Sequence, residues 1–304
     1  GALFSALLAV AHAVFSLVAT IAGIGATAYI AILAYKAHRA AAPVPAALAA
    51  TTRTLIADDV TGMNGARVAE IVYALDEEDV VAAVRKARAR GVHLSVRGQA
   101  HTMGGHTVPG NDGTGIVVDM RFLSRVTDVR VAAGGGDGRG HGVGTVTVEA
   151  GATWSDVIRA LDPHGLAPRT LQSYSSFSVG GTLAVNAHGI TNDFSFSEAV
   201  VEMRVVDALG AVRIVKPGDE LFGLIIGGFG LFGVVVTATL RVDTNCVLAL
   251  DTGMIHPAEF NERYAAIAAD PAVDVKLIRI NILDPRQLFY YVFRRVPNAP
   301  PQVM

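Results

Sequence analysis

RGQAHTMGGHT (residues 97–107) and SFSVGGTLAVNAHG (residues 176–189) each gather glycines, small hydroxyls and a histidine into a turn beside an apolar, strand-like run. Glycine lets the main chain approach a ligand with no Cβ in the way, and successive N–H groups in a turn form an anion-binding nest suited to a pyrophosphate. The histidines add a nucleophile or a proton carrier. A third glycine-rich stretch, GGFGLFGVVVT (residues 227–237), follows in order and strengthens the reading.

The neighbourhood of the first turn decides the fold around it. DEEDVVAAVRKARARG (residues 76–91) crowds acids into a first turn and bases into a last, with Gly91 at the stop, and so predicts a helix with Val80, Val81, Val84 and Ala87 as its buried stripe. VAEIVY (residues 68–73) ahead of it and VHLSV (residues 92–96) behind it read as strands. That βαβ unit delivers residues 97–107 at the carboxyl end of a strand, where parallel sheets bind ligands. GIVVDM (115–120), VTDVRV (126–131), TVTVE (145–149), VVEMRVVD (200–207), AVRIV (211–215) and VVVTATLRV (234–242) read as further strands, most of them antiparallel. WSDVIRAL (154–161) reads as an amphipathic helix, and Leu209 with Gly210 marks a hairpin turn. The run GGGDGRGHGVG (134–144) lacks the GKS or GKT ending of a phosphate loop and reads as a flexible hairpin loop.

Composition excludes several function classes. With 304 residues, 51% of them hydrophobic, the chain has ample core material, and its scattered basic residues and net charge of -2 give no footprint for nucleic acid. Cys246 is the lone cysteine, which rules out an intrachain disulfide and a cysteine-built zinc site. His93, His101 and His106 lack acidic or thiolate companions at ligand spacing, so no metal is expected.

Residues 1–35 contain no Asp, Glu, Lys or Arg. A helix needs about 20 apolar residues to span a bilayer, so a single-pass transmembrane helix is expected here. Lys36, His38 and Arg39 follow it, and the positive-inside rule then places the rest in the cytoplasm. The expected organisation is a span with its basic flank (1–39), a proline-bearing linker (40–54), a globular domain (55–245) and the incomplete start of another domain (246–304).

Over about residues 55–244 the order of motifs resembles the FAD-binding domain of the vanillyl-alcohol oxidase and p-cresol methylhydroxylase family. The segments are DVTGMN (59–64), DVVAAVRKA (79–87), SVRGQAHTMGG (95–105), VTVEAGATWSDV (146–157), FSVGGTLAVNAHG (177–189) and DELFGLIIGGFGLFGVVVTATL (219–240). The resemblance implies an α+β chain with a PCMH-type FAD-binding fold of two α+β subdomains, FAD extended between them, and a separate substrate domain over the flavin ring. On the first turn it assigns the cofactor to Arg97, Gly98, Gln99, Ala100, His101, Thr102, Met103, Gly104 and Gly105. On the second it assigns Ser176, Ser178, Gly180, Gly181 and Thr182, with hydroxyls available to the ribityl chain and phosphates; for Ser176 a capping role is the alternative. Val235 and Val236 flank the adenine or ribose, or simply pack the core. His101 matches the histidine that often bonds to the flavin 8α-methyl carbon; the alternative is a histidine that hydrogen-bonds within the turn. Asn186 and His188 are expected near the ring or the substrate, with His188 as a proton carrier or a structural hydrogen-bonding group.

The activity implied is hydride transfer from a CH–OH group of a small molecule, such as a sugar, a lactone or a polyprenyl-linked sugar, to flavin N5. Oxygen or a quinone then takes the electrons. A non-catalytic flavin-binding scaffold and a reductase of the UDP-N-acetylenolpyruvoylglucosamine type are the alternatives within this fold.

Overall fold

The computed structural model describes residues 55–132, 143–190, 195–296 and 299. The apolar run over residues 1–35, its basic flank and the linker lie outside them, as does most of the glycine run at 134–144. Among the described residues no helix is long and apolar enough to cross a membrane.

A short antiparallel ladder, β1 (Leu55–Ala57) with β2 (Ala66–Val68), opens the fold. The strand expected over 68–73 breaks at Ala69, whose N–H turns to the carbonyl of Gly115 at 2.9 Å, and the chain resumes as β3 (Glu70–Tyr73). With β4 (Leu94–Arg97) and β5 (Ile116–Asp119), β3 forms a parallel sheet that has β5 in the middle. Covered on both faces, β5 is a continuous buried run rather than an alternating one. The crossover from β3 to β4 is α1 (Glu77–Arg90). Asp76 caps it by accepting the N–H of Asp79 at 2.9 Å, and Gly91 ends it in the left-handed region. Its buried stripe is Val80, Ala83, Val84 and Ala87; Val81 is half-buried, because one residue turns about 100° round the helix while Ala83 returns to the face of Val80.

The second sheet is antiparallel, ordered β10 (Val212–Val215), β9 (Val200–Val206), β11 (Val234–Thr244), β7 (Gly144–Glu149), β6 (Val126–Val131), with β8 (Leu166–Pro168) on the far end of β11. The β9–β10 hairpin turns at Gly210, where φ is 72°, and the Asp207 carboxylate accepts the N–H groups of Leu209 and Ala211 at 2.9 Å each. Helix α2 (Trp154–Leu161) starts at a capping box of Thr153 and Asp156. Short helices follow: α3 (Val179–Ala184), α4 (Phe196–Ala199) and α5 (Glu220–Ile225). One apolar core joins both sheets, running from Val80 and Val118 through Val148 and Trp154 to Phe196 and Val205.

Beyond Asn245 a third sheet, β12 (Leu248–Ile255), β14 (Leu288–Arg295) and β13 (Val273–Ile280), packs one face on α6 (Phe260–Ala269). It has its own small core of Ile255, Ile267, Leu288, Tyr290 and Val292.

Candidate functional site

Three glycine-bearing segments converge where the first two sheets meet. The first leaves β4, the second opens α3, and the third links α5 to β11. Between them lies a cavity of about 280 Å³ lined by residues of all three. Contacts too close for side chains set its walls. A Cβ on Gly98 would stand 2.2 Å from Ser178 Oγ, and one on Gly180 would stand 2.7 Å from Ala150 Cβ and 3.0 Å from its carbonyl oxygen.

Hydrogen bonds lock the segments to one another. The N–H groups of Gly227 and Phe229 bond to the carbonyls of Leu183 and Ala184 at 3.1 and 2.8 Å, tying the third segment to the second. Val60 N–H bonds to Ala100 O at 2.8 Å, Gly105 N–H to Asp59 Oδ2 at 2.9 Å, and the Asn64 amide to Met103 O at 3.2 Å. The 59–64 segment is therefore a brace for the first turn. Donation from the Thr61 hydroxyl, opposed in part by burial and reinforced by the N–H groups of Thr61 and Gly105 and by Asn64, holds the Asp59 carboxyl down at about 2. His106 stacks on Phe229 with ring centroids 4.8 Å apart and closes the first segment on the third.

Backbone strain sits at the same place. Ala100, Asn186 and Phe229 are the described non-glycine residues with positive φ, at 56°, 45° and 52°, one in each of the three segments. Such a conformation costs about 1–2 kcal/mol per residue. Strain of this kind concentrates at ligand clamps that the surrounding structure enforces.

Of the residues the sequence points to, Gly98, Gln99, Ala100, His101 and Thr102 line the cavity from the first turn. Ser178, Gly180, Gly181, Thr182 and Val235 line it from the other segments. The remaining ones stand outside the lining. Arg97 turns to the buried carboxylate of Asp119, 3.8 Å away, which Arg121 already grips with hydrogen bonds of 2.7, 2.9 and 3.1 Å. Met103 is exposed, and Gly104 and Gly105 belong to the braced end of the turn. Ser176 stands beside His101, with Oγ 3.5 Å from Nε2. Val236 is core: it is 2% exposed, and its carbonyl accepts the Ala150 N–H. Asn186 and His188 are exposed and absent from the lining, though the His188 carbonyl accepts the Gln172 amide at 3.0 Å.

The Thr182 hydroxyl has no proton left to donate to a ligand phosphate, contrary to expectation. It donates to Val179 O at 2.7 Å and accepts from Trp154 Nε1 at 3.2 Å, anchoring α3 to α2. Thr182→Val is therefore expected to cost about 1–3 kcal/mol in urea unfolding, because it orphans the buried indole N–H. Ligand affinity should change little; a binding loss without a stability loss would contradict the anchoring role.

Thr107 and Phe177, inside the two quoted segments but not singled out there, and Gln172, outside them, also line the cavity. Within those segments nothing local separates Thr107 and Phe177 from their neighbours, and Gln172 has no motif around it. Four buried side-chain atoms among the described residues have no hydrogen-bond partner: Arg97 Nε, and, at the cavity, Thr102 Oγ1, Thr107 Oγ1 and Gln172 Oε1. Unmatched buried polar atoms are uncommon and each costs about 1–3 kcal/mol. The grouping of the last three around one cavity, between turns that expose backbone amides and exclude Cβ atoms, fits an elongated polar ligand such as a dinucleotide.

Comparison with known proteins bears on the identity of that ligand. Residues 68–216 match the family model described as FAD binding domain. An uncharacterised oxidoreductase of the fasciation locus of Rhodococcoides fascians is 36% identical over 168 residues, covering 54% of this chain and 35% of that protein. Decaprenylphosphoryl-beta-D-ribose oxidase of Mycolicibacterium smegmatis is 29% identical over 189 residues, covering 60% of this chain and 38% of the oxidase. Cytokinin dehydrogenase 6 of Oryza sativa is 33% identical over 159 residues, 49% of this chain and 28% of that enzyme. The chain thus spans well under half the length of these relatives. In fold, it is similar to cholesterol oxidase from Brevibacterium sterolicum, with a TM-score of 0.67 at 19% identity over 82% of this chain and 49% of that one.

Proposed function

We propose, from the match of residues 68–216 to the FAD binding domain family, that the chain is the flavin-holding part of an oxidoreductase that takes a hydride from a CH–OH group of a small molecule. One observation carries this reading: the cavity between the two glycine turns, with its unmatched buried polar atoms. Bound there, FAD supplies the two-electron acceptor.

The chain's own residues bind and orient. Gly98, Gly180 and Gly181 bring backbone up to the ligand with no Cβ between, and the N–H groups of Gln99, Ala100 and Thr102 are assigned to its phosphates. His101 lines the cavity as an exposed ring packed on Phe177 at 4.7 Å and is the proposed attachment point of a covalently held flavin. In this reading His188 and Asn186 meet the substrate at the mouth, where His188 takes the hydroxyl proton. A sugar, a lactone or a lipid-linked sugar alcohol is the proposed substrate class, and a quinone or oxygen the electron acceptor. Residues 1–39 are proposed to anchor the protein in a membrane with the flavin domain on the cytoplasmic side.

Mass spectrometry of the purified protein, native and denatured, tests the cofactor. FAD is expected in the native sample and on the denatured peptide containing His101, while His101→Ala keeps FAD only as long as the protein is folded. A colourless protein that takes up no FAD ends the reading. Flavin bleaching by a panel of alcohols under nitrogen tests the activity, and flavin that binds but never bleaches would instead mark a non-catalytic module.

A further inference from the structure

The cavity wall is not uniform. His101, His106, Gly181 and Phe229 are exposed, and Phe177 and Gln172 are half-buried. Met120, Ala150, Ile225, Val234 and Val235, in contrast, form an apolar stretch in which each residue is less than a tenth exposed. Thr107 is as buried as that stretch. Its carbonyl is fixed by the Ser95 hydroxyl at 2.9 Å on β4, next to Val96, and Gly230 lies against Val96. Thr107 itself is 6% exposed, yet its hydroxyl has no partner.

A dinucleotide held at its pyrophosphate carries a heterocycle at each end. The one that reacts must be reached by substrate and therefore needs the open part of the cavity. The inert base gains most from the dry, apolar part. Resting on the FAD reading above, we propose that Thr107 is a specificity-determining residue for the adenine base. Its lone hydroxyl serves as donor or acceptor toward an adenine edge, which offers both an amino N–H and ring nitrogens.

The test compares Thr107→Val and Thr107→Ser, each in the His101→Ala background so that binding stays reversible, by titrating FAD, ADP and FMN. Valine has the same shape without the hydroxyl. Affinity for FAD and for ADP is expected to fall about tenfold with valine and to stay within about threefold with serine. FMN, which has no adenine, should bind unchanged. The flavin-free valine variant should melt no lower than its parent, because the hydroxyl holds nothing in the protein. Equal weakening of FMN, an unchanged FAD affinity, or a lower melting temperature of the flavin-free variant overturns the assignment. Failure of the parent protein to bind FAD at all ends the cofactor reading instead.

Discussion

Gly98→Ala should cost the protein most of its affinity for FAD, by about 10- to 100-fold, without unfolding it. The added Cβ would meet Ser178 Oγ at 2.2 Å and Ser178 Cβ at 3.1 Å. Rotating the serine hydroxyl away removes the first clash and leaves the second. Ser178 is itself 4% exposed, heads α3 and bridges to Thr153, so it has little room to retreat. The two turns must then separate, and overpacking of this kind costs about 1–3 kcal/mol. That is a modest fraction of the stability of a domain this size, but it is concentrated where backbone amides from both turns have to converge on one ligand. The double variant Gly98→Ala with Ser178→Gly separates the steric cause from any other. Removing the side chain that the new Cβ strikes should restore most of the affinity in a fluorescence titration of FAD. If the single variant binds as tightly as its parent, or the double variant no better than the single, the two turns do not form one ligand-holding groove.

Local chemistry made much of this fold legible from sequence. The acids at the start of α1 and Gly91 at its end give the helix without reference to any partner, and the alternation in VTDVRV and TVTVE gives β6 and β7 as strands of a half-buried sheet. Gly98 and Gly180 announce themselves for the same reason, since backbone that must come close to something else needs glycine wherever it sits. What stayed hidden depends on how distant pieces meet. Thr182 sits in a motif rich in hydroxyls, and only the packing of Trp154 against α3 reveals that its hydroxyl is spent inside the protein. Arg97 heads the first turn in sequence, but the register of β4 against β5 sets it opposite Asp119. Val235 and Val236 look alike as neighbours in a strand, but the pairing of β11 with β9 shifts register at Val236, and Val235 lines the cavity while Val236 does not. Thr107 closes the first glycine stretch, but nothing local tells its hydroxyl from the others there.

The brace on the first turn makes the second large prediction, which is about acid. Asp59 is a carboxylate whose oxygens accept from the Thr61 N–H at 2.9 Å, the Thr61 hydroxyl at 2.6 Å, the Asn64 amide at 2.7 Å and the Gly105 N–H at 2.9 Å. Every one of these bonds favours the ionised form, and the carboxyl is held down at about 2 from its ordinary value of 3.8. A carboxyl lowered on folding stabilises the native state fully above its unfolded value and loses that contribution as pH falls through the native one. The turn should therefore stay braced at pH 4 and loosen only as the pH approaches 2. Asp59→Asn removes this behaviour in an informative way. An asparagine presents one oxygen and one amino group, so whichever way it turns, N–H faces N–H at Gly105, Thr61 or Asn64. Its FAD affinity at neutral pH should be at least about tenfold weaker than the parent's, with Gly105 exchanging its amide hydrogen faster. As the pH falls from about 4 towards 2 the difference between parent and variant should shrink, because only there does the parent's own carboxylate take up its proton. A parent that already loosens near pH 4, or a variant that binds FAD as well as its parent at neutral pH, would show that residues 59–64 merely lie beside the turn and do not hold it.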